Sequence, residues 1–521
     1  MLKPLERKRA ELASLARVAA CLINERLVTS TFTDNSILLS HPETDETICV
    51  SLPRPPQFHE AVHASELSGK ILYNDRSVLD GAGLMRIYGK WAKLNNERID
   101  QICREFENSV QNLEKAYRQD WSLTIDSPAW AWEQAVVEGH GMHPWHRCRY
   151  PLVDDFETAS IHFVSVPRAG LTLVGDYEGH ISKLIPTQLN HQGDDQVIFP
   201  VHEYQLPNVK NAFPNARVLP CTISGRPQSS VRSISLPGAD VDFCIKVPLA
   251  VKITSIVRTI RPWAITIGYR LEPILTVIEN AAKTFGGSLR VIREVAAAAS
   301  SSEHLGCIIR QSTESLVAET GDRIIVCAAV AEHIHDVWPD ITTPEAKLDL
   351  LRDFCVHLFR AVLPSVLLHG FALQAHMQNL LIRLDPVSRD IRGFFVRDLG
   401  SFRVHRETFS ASTSLDVDTA WVLTKSDSLE KVYRYILSVI HGDVASMIRA
   451  LQVGMPGWKV ARGELEKVIP AGDEMARRTW LESPECMSRA HLSMQLFGVE
   501  RECTMTSIPN RFYYCQQGVS E

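Results

Sequence analysis

His369-Gly370-Phe371-Ala372-Leu373-Gln374-Ala375-His376-Met377-Gln378-Asn379 runs directly into the apolar stretch Leu380 to Leu384. A turn signal follows at Asp385-Pro386, and Phe394-Phe395-Val396 then ends in Arg397-Asp398-Leu399-Gly400. This reads as strand, turn, strand. An Asn stands before the first strand and an Asp at the end of the second. Kinases hold Mg2+ against a nucleotide with that arrangement, and the ion takes hard oxygen ligands. If the stretch before the hairpin is helical, Gln374 and Gln378 at i,i+4 are neighbours, as are His376 and Asn379 at i,i+3. A purely structural hairpin is the competing reading.

Outward from the hairpin, helical patterns dominate the C-terminal part. Residues 160 to 260 differ, with β-branched runs cut by Gly and Pro: Ile161 to Val166, Leu171 to Val174, Val197 to Val201 and Phe243 to Val257. Val295 to Ser302, VAAAASSS, reads as a small low-complexity turn or linker. The N-terminal part looks helical. Leu12, Leu15, Val18 and Leu22 recur at helical spacing, and Ile99, Ile102, Phe106, Val110 and Leu113 form a second apolar stripe that belongs to a core. The expected class is α+β: a helical part over residues 1–155, a β-rich part over 156–340 and a mostly helical part over 341–521.

Three further segments gather polar groups. Glu138 to Arg149 holds His140, His143 and His146 with Arg147 and Arg149, punctuated by Gly and Pro. Arg and protonated His are natural partners of carboxylate and phosphate. Zinc is a rival reading, but no Cys or carboxylate completes a ligand set; a plain solvated loop is the other. Pro200-Val201-His202-Glu203-Tyr204-Gln205 follows a strand-like run, and a structural His202 is the better reading there. Ser229, Ser230, Arg232 and Ser233 place hydroxyls beside a guanidinium, which suits an anion. In the strand pattern after them, Phe243, Ile245, Val247, Leu249, Val251 and Ile253 share one face, with Lys246, Lys252 and Thr254 on the other. Arg258 keeps the even register. Twelve residues of straight strand span roughly 40 Å, so Lys246 and Arg258 can serve one pocket only if the chain bends, and Pro248 is the candidate. An ordinary solvent face is the alternative.

The chain has 521 residues, 45% hydrophobic and 22% charged, which excludes a disordered, collagenous or simple coiled-coil protein. A net charge of −6 argues against a dedicated nucleic-acid binder. Twelve scattered cysteines without a C-x-x-C pair read as reduced, buried thiols of an intracellular protein. No run of 18 apolar residues suggests a membrane span, and Met1 to Ala10 with Arg17 beyond makes a poor signal peptide. The expected location is the cytoplasm, with no membrane or nucleic-acid partner.

Together the segments resemble the IucA/IucC family, the NRPS-independent siderophore (NIS) synthetases. The family's GHPxHPxxKxR stretch is similar to Gly139–Arg149 here, its PVHPWQ to Pro200–Gln205, its SSxRT to Ser229–Ser233, and its HGxxxEAHxQN and RDxG to His369–Asn379 and Arg397–Gly400. A fainter echo lies at Ile508-Pro509-Asn510. The resemblance implies a cupped hand with a helical thumb, β-rich fingers and a palm carrying the hairpin. It implies ATP and Mg2+ as cofactors, adenylation of a carboxylate of citrate or a similar polycarboxylate, and transfer of the acyl group to an amine or alcohol. By position, Ser229, Ser230, Arg232, Ser233, Lys246, His376 and Gln378 would hold the nucleotide. Arg258 with His140 and His143 would grip the acid, and His376 would contact the reacting groups. Gln374, Asn379 and Asp398 would carry Mg2+. A homodimer is suggested by the resemblance alone.

The departures are Gly141 for a Pro, Arg147 for a Lys, Glu203-Tyr204 for Pro-Trp, and Gln374 for the Glu of EAHxQN. The last removes one charge from the expected metal site. Two other functions compete: a small-molecule phosphotransferase, suggested by Asn379 and Asp398 but lacking a Gly-rich phosphate loop, and a non-catalytic polycarboxylate-binding paralogue, suggested by Gln374.

Overall fold

The computed structural model describes residues 4–54, 62–67, 70–154, 156–190, 193, 195–254, 256–415, 427–498 and 504–516. Both N-terminal stripes form helices. Leu5–Asn24 buries Leu15, Val18 and Leu22 while Leu12 stays 43% exposed, and Asn96–Tyr117 buries its whole stripe. Asn95 caps the second helix by accepting the Arg98 N–H. The N-terminal part is not helix alone. Five short antiparallel strands between Thr29 and Val78 form a meander beside the helices. Helical periodicity reports nothing about strands of three to five residues, so the sequence reading passed over them.

The centre is an eight-stranded antiparallel sheet. Its order is Thr172–Val174, Glu294–Ala299, Gly306–Gln311, Phe243–Lys246, Ser233–Ser235, Arg217–Pro227, Ala159–Pro167, Gln196–His202. Here the expected linker proves to be a strand. Ala296 and Ala298 pack into one core while Ala297 and Ala299 face Ile260, Ile265 and Ile308 on the other side, under the helix Pro262–Arg270. Small residues are needed because both faces are covered, and a buried alanine run looks like low complexity.

The expected bend is also present. Phe243–Lys246 ends before Pro248, Leu249–Ile253 leaves in another sheet, and Ile256–Arg258 folds back on it, pairing Arg258 with Leu249. Lys246 is buried, so its face is not the solvent face that was the alternative.

The hairpin forms as read. Leu380–Leu384 pairs antiparallel with Ile391–Val396, flanked by Arg323–Val326 and Leu289–Val291, both contributed from before residue 341. The preceding segment is not helical. Gly370 adopts a left-handed conformation (φ 59°) that ends the helix Pro364–His369. Phe371–Leu373 is a strand, and residues 377–379 form a turn in which the Asn379 and Leu380 N–H groups both donate to His376 O. Among the described residues no helix is long and apolar enough to cross a membrane.

Candidate active site

The bend and the hairpin bring Lys246 and Asp398 together. Lys246 Nζ lies 2.6 Å from Asp398 Oδ1, with the two side chains 7% and 30% exposed. Asp398 has a positive φ of 66°. Burial opposes its charge, but Lys246, Arg310 and Arg232 outweigh it and hold the carboxyl well below the usual range. Burial pulls Lys246 down to about 8, against the attraction of Asp398.

Arg397, next to Asp398, points the other way. It forms a buried two-pronged pair with Glu133 (2.5 and 3.0 Å) and donates to Gln228 Oε1 (3.1 Å) and the Gln378 carbonyl (2.8 Å). Glu133 also accepts the Ser229 N–H at 3.1 Å. One ion pair therefore ties the Ser229–Ser233 loop, the His376–Asn379 turn and the hairpin end into one unit.

Within the loop, Ser230 Oγ accepts the Ser233 N–H (3.2 Å), Val231 takes a φ of 64°, and Gln378 Nε2 reaches Ser229 Oγ at 3.5 Å. Arg232 donates through one Nη to the Arg258 and Thr259 carbonyls, and its Nε has no partner among the described residues. Arg258 is steadied by Ile253 O and Thr254 Oγ1, and burial followed by repulsion from Arg232 lowers it to about 10, still charged at neutral pH.

The histidine loop divides into two roles. His146 bonds Val137 O, Arg147 donates to Val136 O, and Arg149 donates to Asp154 O while lying over the Phe156 ring. These three build the loop. His140 and His143 instead meet His491, with ring centroids 5.5 and 4.1 Å away. Burial, reinforced by neighbouring positive groups, pushes His143 and His491 well below their ordinary range. His140 is exposed, yet enclosing protein, and then the positive charge of Arg449 and Arg489, push it down to about 4. His376 is likewise lowered to about 4 by burial, opposed by Asp398. These imidazoles are neutral at pH 7.

Sequence reasoning missed Arg310, Arg489, His491 and Glu133. Arg310 is buried beside Glu294 (2.9 Å) and adds its field to Lys246 and Asp398. Arg489 and His491 come from the C-terminal strand Glu485–Arg489 and the helix after it, and Arg489 acts on His140, His143, His376 and Arg258. No local pattern marked them. His202 is structural, its Nδ1 accepting the Tyr204 N–H, and Asn510 is a buried helix cap. Among the described residues no group of three His, Cys, Asp or Glu is arranged to hold a metal ion.

The donors at the hairpin suit Mg2+ instead. Asp398 supplies a carboxylate. The Asn379 amide nitrogen is engaged by Gln374 O (3.1 Å) and lies 3.4 Å from His376 Nε2, which leaves its oxygen for a cation.

Comparison with known proteins then decides the family. The IucA / IucC family model matches residues 128–332, and a ferric iron reductase FhuF-like transporter model matches residues 349–502. The NRPS-independent siderophore synthetase-like protein ankE of Aspergillus thermomutatus is 31% identical over 425 residues, covering 73% of this chain and 68% of that protein. The chain belongs to the IucA/IucC family of NRPS-independent siderophore synthetases. The NRPS-independent siderophore synthetase rfs of Rhizopus delemar is 26% identical over 85% of this chain and 76% of that protein. The ATP-bound aerobactin synthetase IucA of Klebsiella pneumoniae superposes with a TM-score of 0.78 at 15% identity, covering 97% of this chain and all of that one. The petrobactin biosynthesis protein AsbB of Bacillus anthracis gives the same TM-score over 99% of this chain and 97% of that one, also at 15% identity. The fold is that of the NIS synthetases, a mixed α+β architecture.

Proposed function

We propose that the protein is an ATP- and Mg2+-dependent ligase of siderophore-type or related secondary-metabolite biosynthesis. It adenylates one carboxylate of citrate or a similar polycarboxylic acid and condenses the acyl group with an amine or alcohol. The observation that carries this reading is the run of cations from Lys246 and Arg310 through Arg232 and Arg258 to Arg489, set beside the Lys246–Asp398 contact. A carboxylate repels a phosphate of like charge, so a site that joins them must neutralise both and align them. Family membership supports the ligase class, and the ATP held by the aerobactin synthetase supports the choice of nucleotide.

Ser229, Ser230, Arg232, Ser233, Lys246, His376 and Gln378 bind the nucleotide. Arg258, His140 and His143, with Arg489 and His491 added from the fold, bind the acid. Asn379, Asp398 and Gln374 hold Mg2+, which neutralises phosphate charge when bound. A carboxylate oxygen of the acid attacks the α-phosphorus, and the bond to pyrophosphate breaks. The amine or alcohol then attacks the acyl carbon and AMP leaves with the electron pair of the broken C–O bond. Neutral His376 can accept or donate a hydrogen bond there without adding charge. An ATP-consuming reaction of this kind fits the cytoplasm.

The test is pyrophosphate release from purified protein with ATP, Mg2+ and a panel of di- and tricarboxylates, with hydroxylamine as acceptor. Acid-dependent pyrophosphate with a trapped hydroxamate is expected. ADP formed with another acceptor would point to a phosphotransferase, and neither product to a binding protein.

A further inference from the structure

The short helix Cys327–Glu332 touches both halves of the site. It follows the strand Arg323–Val326, which pairs with Leu380–Leu384, so it is rooted in the sheet of the metal hairpin. At its first turn the Ala328 N–H donates to Met377 O (2.9 Å), inside the His376–Asn379 turn. At its last residue the Glu332 carboxylate accepts three consecutive backbone N–H groups: Val137 (2.8 Å) and Glu138 (2.9 Å) on Oε2, Gly139 (2.7 Å) on Oε1. His333 adds a contact to Ala135 O at 3.1 Å.

Three donors converging on one carboxylate fix the path of the chain immediately before His140. Gly139 is forced by that path: its φ is 51°, and a Cβ there would meet the His146 ring at 2.6 Å. Six helical residues span about 9 Å, and a helix does not stretch. The distance from the His376 turn to the His140 loop is thereby set by an element that belongs to neither motif.

We propose that Glu332 is a positioning residue for His140 and His143, fixing the acid-binding side of the cleft at a set distance from the nucleotide-binding side. This rests on the assignment of the acid to His140 and His143 made above. Burial pushes the Glu332 carboxyl up while the three N–H groups oppose it.

The test uses the full chain with citrate as probe, and ATP with Mg2+ as control. Glu332→Ala should weaken citrate binding by calorimetry roughly tenfold to hundredfold, the scale of a 1 Å misplacement. ATP affinity should stay within about twofold, and amide exchange over residues 137–143 should quicken. Glu332→Gln, which keeps one carbonyl oxygen, should fall between wild type and Ala; it also serves if Ala does not fold. Equal loss of citrate and ATP affinity, or unchanged exchange over 137–143, overturns the proposal. If His140→Ala weakens citrate binding and Glu332→Ala does not, the positioning role alone is wrong. If neither variant affects citrate, the acid assignment falls and the positioning role with it.

Discussion

Replacing Arg397 by Met should destabilise the site more than any other single change at its centre, and a second substitution should reverse the damage. Arg397 and Glu133 are 5% and 3% exposed, so Met leaves Glu133 as a buried anion to which the Ser229 N–H still donates. Breaking such a pair costs about 3–5 kcal/mol. The penalty for any buried, unpaired carboxylate has a ceiling, set by the cost of protonating it. At pH 7, neutralising a carboxyl of ordinary pKa near 4.3 costs about 3.7 kcal/mol. The assay is native-state hydrogen exchange over residues 226–235 and 374–400, where 3–4 kcal/mol is about two to three decades in rate. Glu133→Gln alone should speed exchange. In the Arg397→Met background it should slow it, because it removes the uncompensated charge and keeps an acceptor for Ser229. If Glu133→Gln is destabilising in both backgrounds, buried charge is not what makes this pair matter.

Arg258→Ala should weaken citrate binding more than ATP binding, measured by calorimetry, because Arg258 lies toward Arg489 and the histidines; equal losses count against its assignment to the acid. Gln374→Glu should lower the Mg2+ concentration needed for half-maximal pyrophosphate release by restoring a charged oxygen, and an unchanged titration would put Gln374 outside the metal shell. The fold should lose stability in acid. Burial lowers His202 to about 4 and His441 to about 3, so between pH 6.5 and 4 the unfolded chain binds protons that the native chain refuses. Each contributes stability that is full above pH 6.5 and is lost at about 1.4 kcal/mol per unit below it. His441→Leu should flatten that part of the denaturation profile, and an unaltered profile would show that His441 does not titrate on unfolding.

The sequence by itself determined the hairpin, the two N-terminal helices, the β-rich middle and the family. These rest on short-range pattern: strand alternation, an apolar helical stripe, a Pro where the chain must bend, and four motifs in order. It also named most of the groups that meet in the cleft, since clustered Arg, His and Ser beside Gly and Pro are improbable in a plain core. It misread residues 295–299, where alanines buried on both faces leave no alternation to see. It left open whether residues 374–379 are helical, because a tight turn on His376 brings Asn379 beside it as a helix would. Only the tertiary structure decided which of the three histidines and two arginines in the 138–149 loop turn toward His491 and which hold backbone carbonyls. Only it brought in Arg310, Arg489 and His491, and paired Glu133 with Arg397 and Glu332 with the N–H groups of residues 137–139. Most of these contacts join residues far apart in the chain, for example 264 positions between Glu133 and Arg397 and 193 between Glu332 and Gly139. Pattern along a chain records what neighbours within a few residues must do; the field in a cleft depends on which charges folding brings within a few ångströms.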